Sequence, residues 1–353
     1  MKTVSKLLLL LGITFVSACT QDEDLVIPKQ EIHYYLPELS STLQVTGFPQ
    51  PERNILSVEG VELGKKLFFD PNISGNGKVS CASCHKTELA FSDGISLTNQ
   101  GVSGNTLHRH SPVIFNIAWQ EDGLFWDGGA HDLESLNFGP LTHPDEMGAD
   151  LNSIITYLEN DPEYKKQFDL VFEEEQIQSA TLSRAISQYV RSLISQDSKF
   201  DHWKKQEASF TEFELRGYQL FQQNCSNCHK EGLFTDEAYH NNGLDQTYPD
   251  PPGLEGLYLG RYRITSNPED LGAYKTPTLR NIALSAPYMH DGRFATLEEV
   301  LDHYQYGIKI NESLDPQLKE GIHFNESERK ALIAFLGTLT DSSFIQKHHR
   351  QIN

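Results

Sequence analysis

The chain has 353 residues, 29 basic and 49 acidic, for a formal charge of −20. At 38% hydrophobic and 22% charged it is ordinary globular material, long enough for two domains with cores of their own. That charge argues against nucleic acid, which demands basic patches facing phosphate, and against anionic lipid, but not against a small basic protein partner.

Residues 1–18 read as an export signal. Lys2 and Lys6 make a positive start, and the apolar stretch from Leu7 to Phe15 is too short for a comfortable bilayer span. It closes on Val16-Ser17-Ala18-Cys19, which resembles the lipobox of bacterial lipoproteins, whose cysteine carries lipid. An ordinary signal peptide with a cysteine at its junction is the alternative. Thr20 to Asp24 form an acidic leash expected to stay disordered. The expectation is an exported lipoprotein, periplasmic or on the surface of a Gram-negative cell, touching membrane only through a lipid on Cys19.

The five cysteines are an odd count, which argues against a simple disulfide framework. With Cys19 set aside, the other four stand as Cys81-Ala-Ser-Cys84-His85 and Cys225-Ser-Asn-Cys228-His229. C-x-x-C-H is the attachment motif of c-type haem: two thiols add to the vinyl groups and the adjacent histidine becomes the proximal iron ligand. The competing readings are a thioredoxin-like redox pair and a zinc site of two knuckles. Zinc does not require a histidine directly after each pair, so two covalently bound haems are expected.

Both motifs sit inside a longer duplication. Gly64-x-x-Leu67-Phe68 precedes the first and Gly217-x-x-Leu220-Phe221 the second. After the first come Ser111-Pro112-x-x-x-Asn116-Ile117-Ala118, Phe125-Trp126-Asp127-Gly128 and Leu133-Glu134. After the second come Thr276-Pro277-x-x-x-Asn281-Ile282-Ala283, Tyr288-Met289-His290-Asp291-Gly292 and Leu297-Glu298. Seven residues beyond Leu297 stands Tyr304; seven beyond Leu133 stands Pro140. Tyrosine can ligate iron as a phenolate, whereas proline has no side-chain donor. The C-terminal haem is therefore expected to be six-coordinate through His229 and Tyr304, and the N-terminal haem to keep an open face opposite His85.

Helical patterns dominate, and no convincing alternating strand appears. One broad apolar face runs through 177–194 with Ile177, Ala180, Leu182, Ala185, Ile186, Tyr189, Val190, Leu193 and Ile194. Thr211 with Glu214, and Asn325 with Glu328, read as helix-opening capping boxes. Residues 86–110 and 230–275, rich in Gly, Asn, Asp and Pro, are expected to wrap the haems as long irregular loops. The predicted fold is mainly α, two related c-type cytochrome domains. The predicted organisation is a signal over 1–18, tether and lead-in over 19–50, an N-terminal haem c domain over 51–200 and a C-terminal haem c domain over 201–353.

With Pro144-Asp145-Glu146-Met147-Gly148 added to these motifs, residues 55–345 resemble the bacterial di-haem cytochrome c peroxidases and their relative MauG. The resemblance implies that peroxide binds at the N-terminal haem and that the C-terminal haem relays electrons. It implies further that Trp126 lies between the haems and that Glu146 is the distal acid moving a proton during O–O cleavage. A core tryptophan and a solvated loop acid are the plain alternatives. Tyr304 matches the tyrosine of MauG, where the peroxidases carry methionine; a structural Tyr304 and the nearby Tyr306 compete with that reading. Leu136 aligns with a distal glutamine. Gly101-Val102-Ser103-Gly104 aligns with a removable distal histidine, and His108 and His110 are near enough to leave a switch open. The family's calcium site would here take the carbonyls of Ser285 and Pro287, but His110 replaces its asparagine, and imidazole suits calcium poorly. Arg109 is a candidate partner of a haem propionate.

The functional expectation is a peroxidase-type oxidoreductase using hydrogen peroxide. Its reductant would be a small donor, c-type cytochrome or cupredoxin, or a protein substrate oxidised as in MauG through a high-valent di-haem state. A tethered di-haem electron carrier or gas sensor is the non-enzymatic alternative.

Overall fold

The computed structural model describes residues 31–43, 47–173 and 175–350; the export signal, Cys19 and the leash fall outside them. The first half contains α1 (Val58–Phe69), the one-turn α2 (Cys81–Cys84), α3 (Leu133–Leu136), α4 (Phe138–Thr142), α5 (Leu151–Asn160), α6 (Pro162–Phe172) and α7 (Ser179–Arg191). The second contains α8 (Lys199–Lys204), α9 (Glu212–Asn224), α10 (Tyr262–Thr265), α11 (Leu297–Asp302), α12 (Glu326–Gly337) and α13 (Ser342–Arg350). The strands named among the described residues are two short ones, β1 (Tyr239–His240) and β2 (Tyr274–Lys275), paired antiparallel. The fold is thus mainly helical with long irregular connections, as the periodicity predicts.

Each half is built on one crossing pair of helices, α1 with α7 and α9 with α12. The repeated glycines explain the closeness. A Cβ on Gly64 would collide with the Ala185 carbonyl oxygen, and one on Gly217 with the Ala331 carbonyl oxygen. Only glycine lets the backbones approach this way, so the Gly-x-x-Leu-Phe step records a helix crossing. Leu67 and Phe68 then enter the first core, and Leu220 and Phe221 the second. The predicted capping boxes form: Thr211 Oγ1 accepts from Glu214 N at 3.1 Å, and Asn325 Oδ1 from Glu328 N at 3.0 Å.

Helix α7 departs from its pattern. Ala180 is exposed, whereas the polar Ser183, Ser187, Gln188 and Arg191 are buried. A helix enclosed on several sides carries polar groups inside only when they are paired. Here Gln188 Oε1 accepts from Ser57 N at 3.0 Å, Asn137 donates to both serine hydroxyls, and Arg191 meets Glu134 at 2.9 Å.

Two apolar clusters follow the two halves, with Phe200 of α8 already in the second. The last helix crosses back. Phe344 of α13 belongs to the first cluster, its ring 5.7 Å from Phe91 and 5.6 Å from Phe115.

Candidate haem sites and the junction between them

In the first half Ser80 opens the single turn that carries Cys81 and Cys84, and His85 closes it with its N–H on Cys81 O at 3.0 Å. His85 Nδ1 lies 2.9 Å from Phe91 O, which fixes the orientation of the ring. Phe91 presents that carbonyl because its backbone is left-handed, at φ 60°. The second half repeats the device. Cys225 caps α9, His229 N donates to Cys225 O at 2.9 Å, and His229 Nδ1 lies 3.1 Å from the carbonyl of Phe234, at φ 56°. Pro112 and Pro277, equivalent in the repeat, hydrogen-bond the same rings through their backbones. Burial lowers both histidine pKa values, favouring the neutral imidazole that ligates metal. The four cysteines form no disulfide. Burial pushes the Cys81 and Cys225 thiols up to about 12 and Cys84 to about 11, so they rest as thiols.

The two halves differ where the repeat pairs Tyr304 with Pro140. Where α11 ends, His303–Gly307 form a π turn, a distortion frequent at functional sites. Tyr304 lies in it, partly buried and close enough to Cys225 and Cys228 to feel both. Burial raises its hydroxyl to about 12, the Asn242 amide opposing through a hydrogen bond. The competitor Tyr306 is 75% exposed. Pro140 instead sits inside α4, its carbonyl accepting from Met147 N at 3.1 Å.

Glu146 is brought to the first motif: its charge acts on both Cys81 and Cys84, and Met147 Sδ lies 4.0 Å from Cys81 Sγ. Burial raises the Glu146 pKa, with His143, 3.9 Å away, opposing. Gly101 permits the approach, since a Cβ there would overlap the Asp145 carbonyl, and Val102 N donates to Glu146 O at 2.7 Å. The stretch Gly101–Gly104 therefore buttresses the Glu146 loop. His108 bonds the Tyr258 hydroxyl at 3.1 Å, and the His110 ring spans Ser92 Oγ (3.1 Å) and Ile95 O (2.8 Å). Leu136 packs against the first core.

Trp126 stands where the halves join. Its Nε1 donates to His110 O at 2.8 Å, its carbonyl accepts from Lys275 N at 2.8 Å, and His110 N donates to His290 O at 2.8 Å. In the repeat Trp126 corresponds to His290, whose ring stacks on Tyr274 at 3.7 Å. Arg109 commits Nη1 to buried Asp127 at 2.8 Å and Nη2 to Leu257 O at 2.6 Å; Arg263 shares Asp127 at 2.9 Å. Arg109 Nε and His290 Nδ1 are buried with no hydrogen-bond partner among the described residues. Such orphaned polar atoms suit a prosthetic group that carries carboxylates.

Sequence reasoning passed over His240 and Asn242. His240 joins Asp236 (3.0 Å) to Asp315 (2.6 Å) beside Cys228; hydrogen bonds to Asp236, then Cys228 and Asp315, raise it to about 11. Their signal is weak in sequence, because both lie in the stretch 230–275, which carries no helical or alternating pattern.

Twin C-x-x-C-H turns, each with a histidine oriented by a left-handed phenylalanine carbonyl, define a two-haem c-type scaffold. Residues 58–209 match the di-haem cytochrome c peroxidase family and residues 215–340 match cytochrome c. The methylamine utilization protein MauG of Methylorubrum extorquens is 37% identical over 295 residues, covering 82% of this chain and 81% of its own. The cytochrome c551 peroxidase of Nitrosomonas europaea is 32% identical over 340 residues, 96% of this chain and 91% of its own. A solved MauG-like protein associated with microbial copper homeostasis superposes with a TM-score of 0.80 at 34% identity, covering 88% of this chain and 97% of that one. The chain belongs to the di-haem cytochrome c peroxidase and MauG family. It is an oxidoreductase of that type, and haem c is its cofactor.

Proposed function

We propose that the chain reduces hydrogen peroxide at its N-terminal haem site, with electrons entering through the C-terminal one. The observation that supports this is one asymmetry in a duplicated chain: Pro140 stands where the other half has Tyr304, and Glu146 lies close enough to Cys81 and Cys84 for its charge to act on both. In this reading Cys81, Cys84, Cys225 and Cys228 hold the haems, and His85, His229 and Tyr304 supply iron ligands. When bound, the haems supply iron centres that exchange electrons with peroxide. The protein supplies the rest. The Phe91 and Phe234 carbonyls hold the two imidazoles in orientation. Glu146 takes the proton from one peroxide oxygen and delivers it to the other, and two electrons with two further protons complete the conversion to two waters. Trp126, hydrogen-bonded to residues of both halves, is the aromatic side chain this reading assigns to the electron path.

A second reading is oxidation of a protein substrate, favoured by Tyr304 in place of methionine and by the likeness to MauG. Stopped-flow mixing with hydrogen peroxide separates the two. Prompt oxidation of a reduced small c-type cytochrome or cupredoxin supports the first; a lasting spectral change indifferent to those donors supports the second. Resting ferric protein with no high-spin haem and no response to peroxide overturns both and leaves an electron carrier or gas sensor.

Export and a lipid on Cys19 complete the proposal, supported by the signal-like residues 1–18 and by haem attachment outside the bacterial cytoplasm. No helix among the described residues is long and apolar enough to cross a membrane. For the calcium ion that the resemblance allows at Ser285 and Pro287, the donor set is poor. The third position is His110, whose ring nitrogens both face protein atoms, so no step is assigned to calcium.

A further inference from the structure

We propose that Asp341 is a positioning residue for the N-terminal haem: its carboxylate joins the linker between the halves to helix α13, and so seats the loop that orients His85. The inference rests on the reading of His85 as the proximal ligand beneath an open face.

The duplication marks this residue. Asn116 and Asn281 are equivalent in the repeat, both buried and both left-handed, at φ 54° and 57°. Asn116 N donates to Leu193 O at 2.8 Å, just past the end of α7. Asn281 N donates to Leu339 O at 3.0 Å, just past the end of α12. A little further on, Ser195 N donates to Asn116 Oδ1 at 2.9 Å, and Asp341 N to Asn281 Oδ1 at 2.7 Å. Ser195 and Asp341 are therefore counterparts. They also meet: Ser195 Oγ donates to Asp341 Oδ2 at 3.1 Å and accepts from Asn281 Nδ2 at 2.9 Å. The two halves touch at the same point of their repeat.

Asp341 brings a carboxylate where the first half has a hydroxyl. It is buried, and neutral donors converge on it. Besides Ser195 Oγ, Oδ2 accepts from Gln196 N and Asp197 N, both at 2.9 Å. Oδ1 accepts from Ser343 Oγ at 2.8 Å and from Phe344 N at 2.9 Å. Hydrogen bonds to an ionised acceptor are about twice as strong as neutral ones, so this group holds its partners firmly. One oxygen grips the linker and the other caps α13.

The consequence reaches the other half. Phe344 packs its ring against Phe115 and Phe91, at 5.6 and 5.7 Å, and the Phe91 carbonyl lies 2.9 Å from His85 Nδ1. An imidazole whose Nδ1–H is bonded to a carbonyl is fixed in orientation and donates more strongly to a metal. Asp341 thus acts on His85 through Phe344 and Phe91. Loosening it should let that carbonyl drift, weaken the imidazole's donation and favour ferrous over ferric iron at this haem alone.

The test is resonance Raman spectroscopy of the fully reduced two-haem protein, with potentiometric titration, for Asp341→Asn, Asp341→Ala and Phe344→Leu. The iron–imidazole stretching mode reports a five-coordinate ferrous haem, so it reads the N-terminal site. Asp341→Asn is nearly isosteric but turns one acceptor oxygen into a donor, so it serves where Asp341→Ala folds poorly. The expected result in all three is a shift of the mode to lower frequency and a raised N-terminal potential, with the C-terminal potential unmoved. Thr211→Ala removes the cap of α9, a loss of stability outside this line of contacts, and should leave the mode in place. An unmoved mode in Asp341→Asn overturns the role of Asp341, and so does an equal shift in Thr211→Ala. A wild-type protein that gives no iron–imidazole mode overturns the reading of His85, and this inference with it.

Discussion

Single side chains carry the chemistry here, and Glu146 is the one whose environment most clearly suits its proposed task. Burial raises its pKa above the ordinary value of 4.5, so the carboxylate form that accepts a proton from peroxide is lost at a higher pH than usual. The rate of reaction with peroxide should therefore fall as pH drops, along an acid limb lying above 4.5. Glu146→Gln should slow the reaction by roughly 10²–10⁴-fold and abolish that limb, read by stopped-flow across pH. Asp201 shows the opposite shift. Burial pushes its carboxyl up, but two hydrogen bonds of 2.8 Å from Arg280 and the guanidinium charge outweigh it and hold the group well below the usual range. Its contribution to stability is complete above the unfolded value of about 3.9 and is lost as pH falls toward the folded value. Asp201→Asn should cost about 3–5 kcal/mol at pH 7, because Arg280 is fully buried, and the gap to the native protein should narrow at pH 3. Denaturant unfolding at the two pH values measures it.

Secondary elements show how the duplication works physically. Gly64 and Gly217 are conformationally ordinary, and what they grant is space for a crossing helix. Gly64→Ala or Gly217→Ala should push the helix pair apart at a cost of about 1–3 kcal/mol. Gly337, at the end of α12, has open space around its Cβ position, so Gly337→Ala should be neutral or stabilising by up to about 1 kcal/mol. Thermal melts of the three variants test the contrast. The repeat was legible in sequence because the helix crossing and the C-x-x-C-H turn each demand particular residues at fixed spacing. The burial of α7 was not, because Ser183, Gln188 and Arg191 read as a solvent face until Ser57, Asn137 and Glu134 arrive from elsewhere to pair them.

Across the whole molecule the two halves are clasped rather than merely joined. Helix α13 follows the second core in sequence yet delivers Phe344 to the first, against the same Phe91 whose carbonyl orients His85. Phe344→Ala should cost about 3–5 kcal/mol. Its effect should fall on the N-terminal haem environment before the C-terminal one, as absorption spectra followed through thermal unfolding would reveal. Trp126 O with Lys275 N, and His110 N with His290 O, make a second clasp through backbone groups, which side-chain patterns cannot announce.

The sequence by itself determined the family, the two-haem chemistry, the helical class and the divergence of the halves at Pro140 and Tyr304. Covalent attachment and iron ligation need particular side chains at short, rigid spacings, so their record is local. Only the tertiary structure decided that Tyr304 rather than the exposed Tyr306 faces the second motif, that the His110 ring is spent on protein atoms, and that Arg109 answers Asp127. Those outcomes depend on which distant backbone arrives at a given side chain, and long irregular loops carry no periodicity from which that could be read.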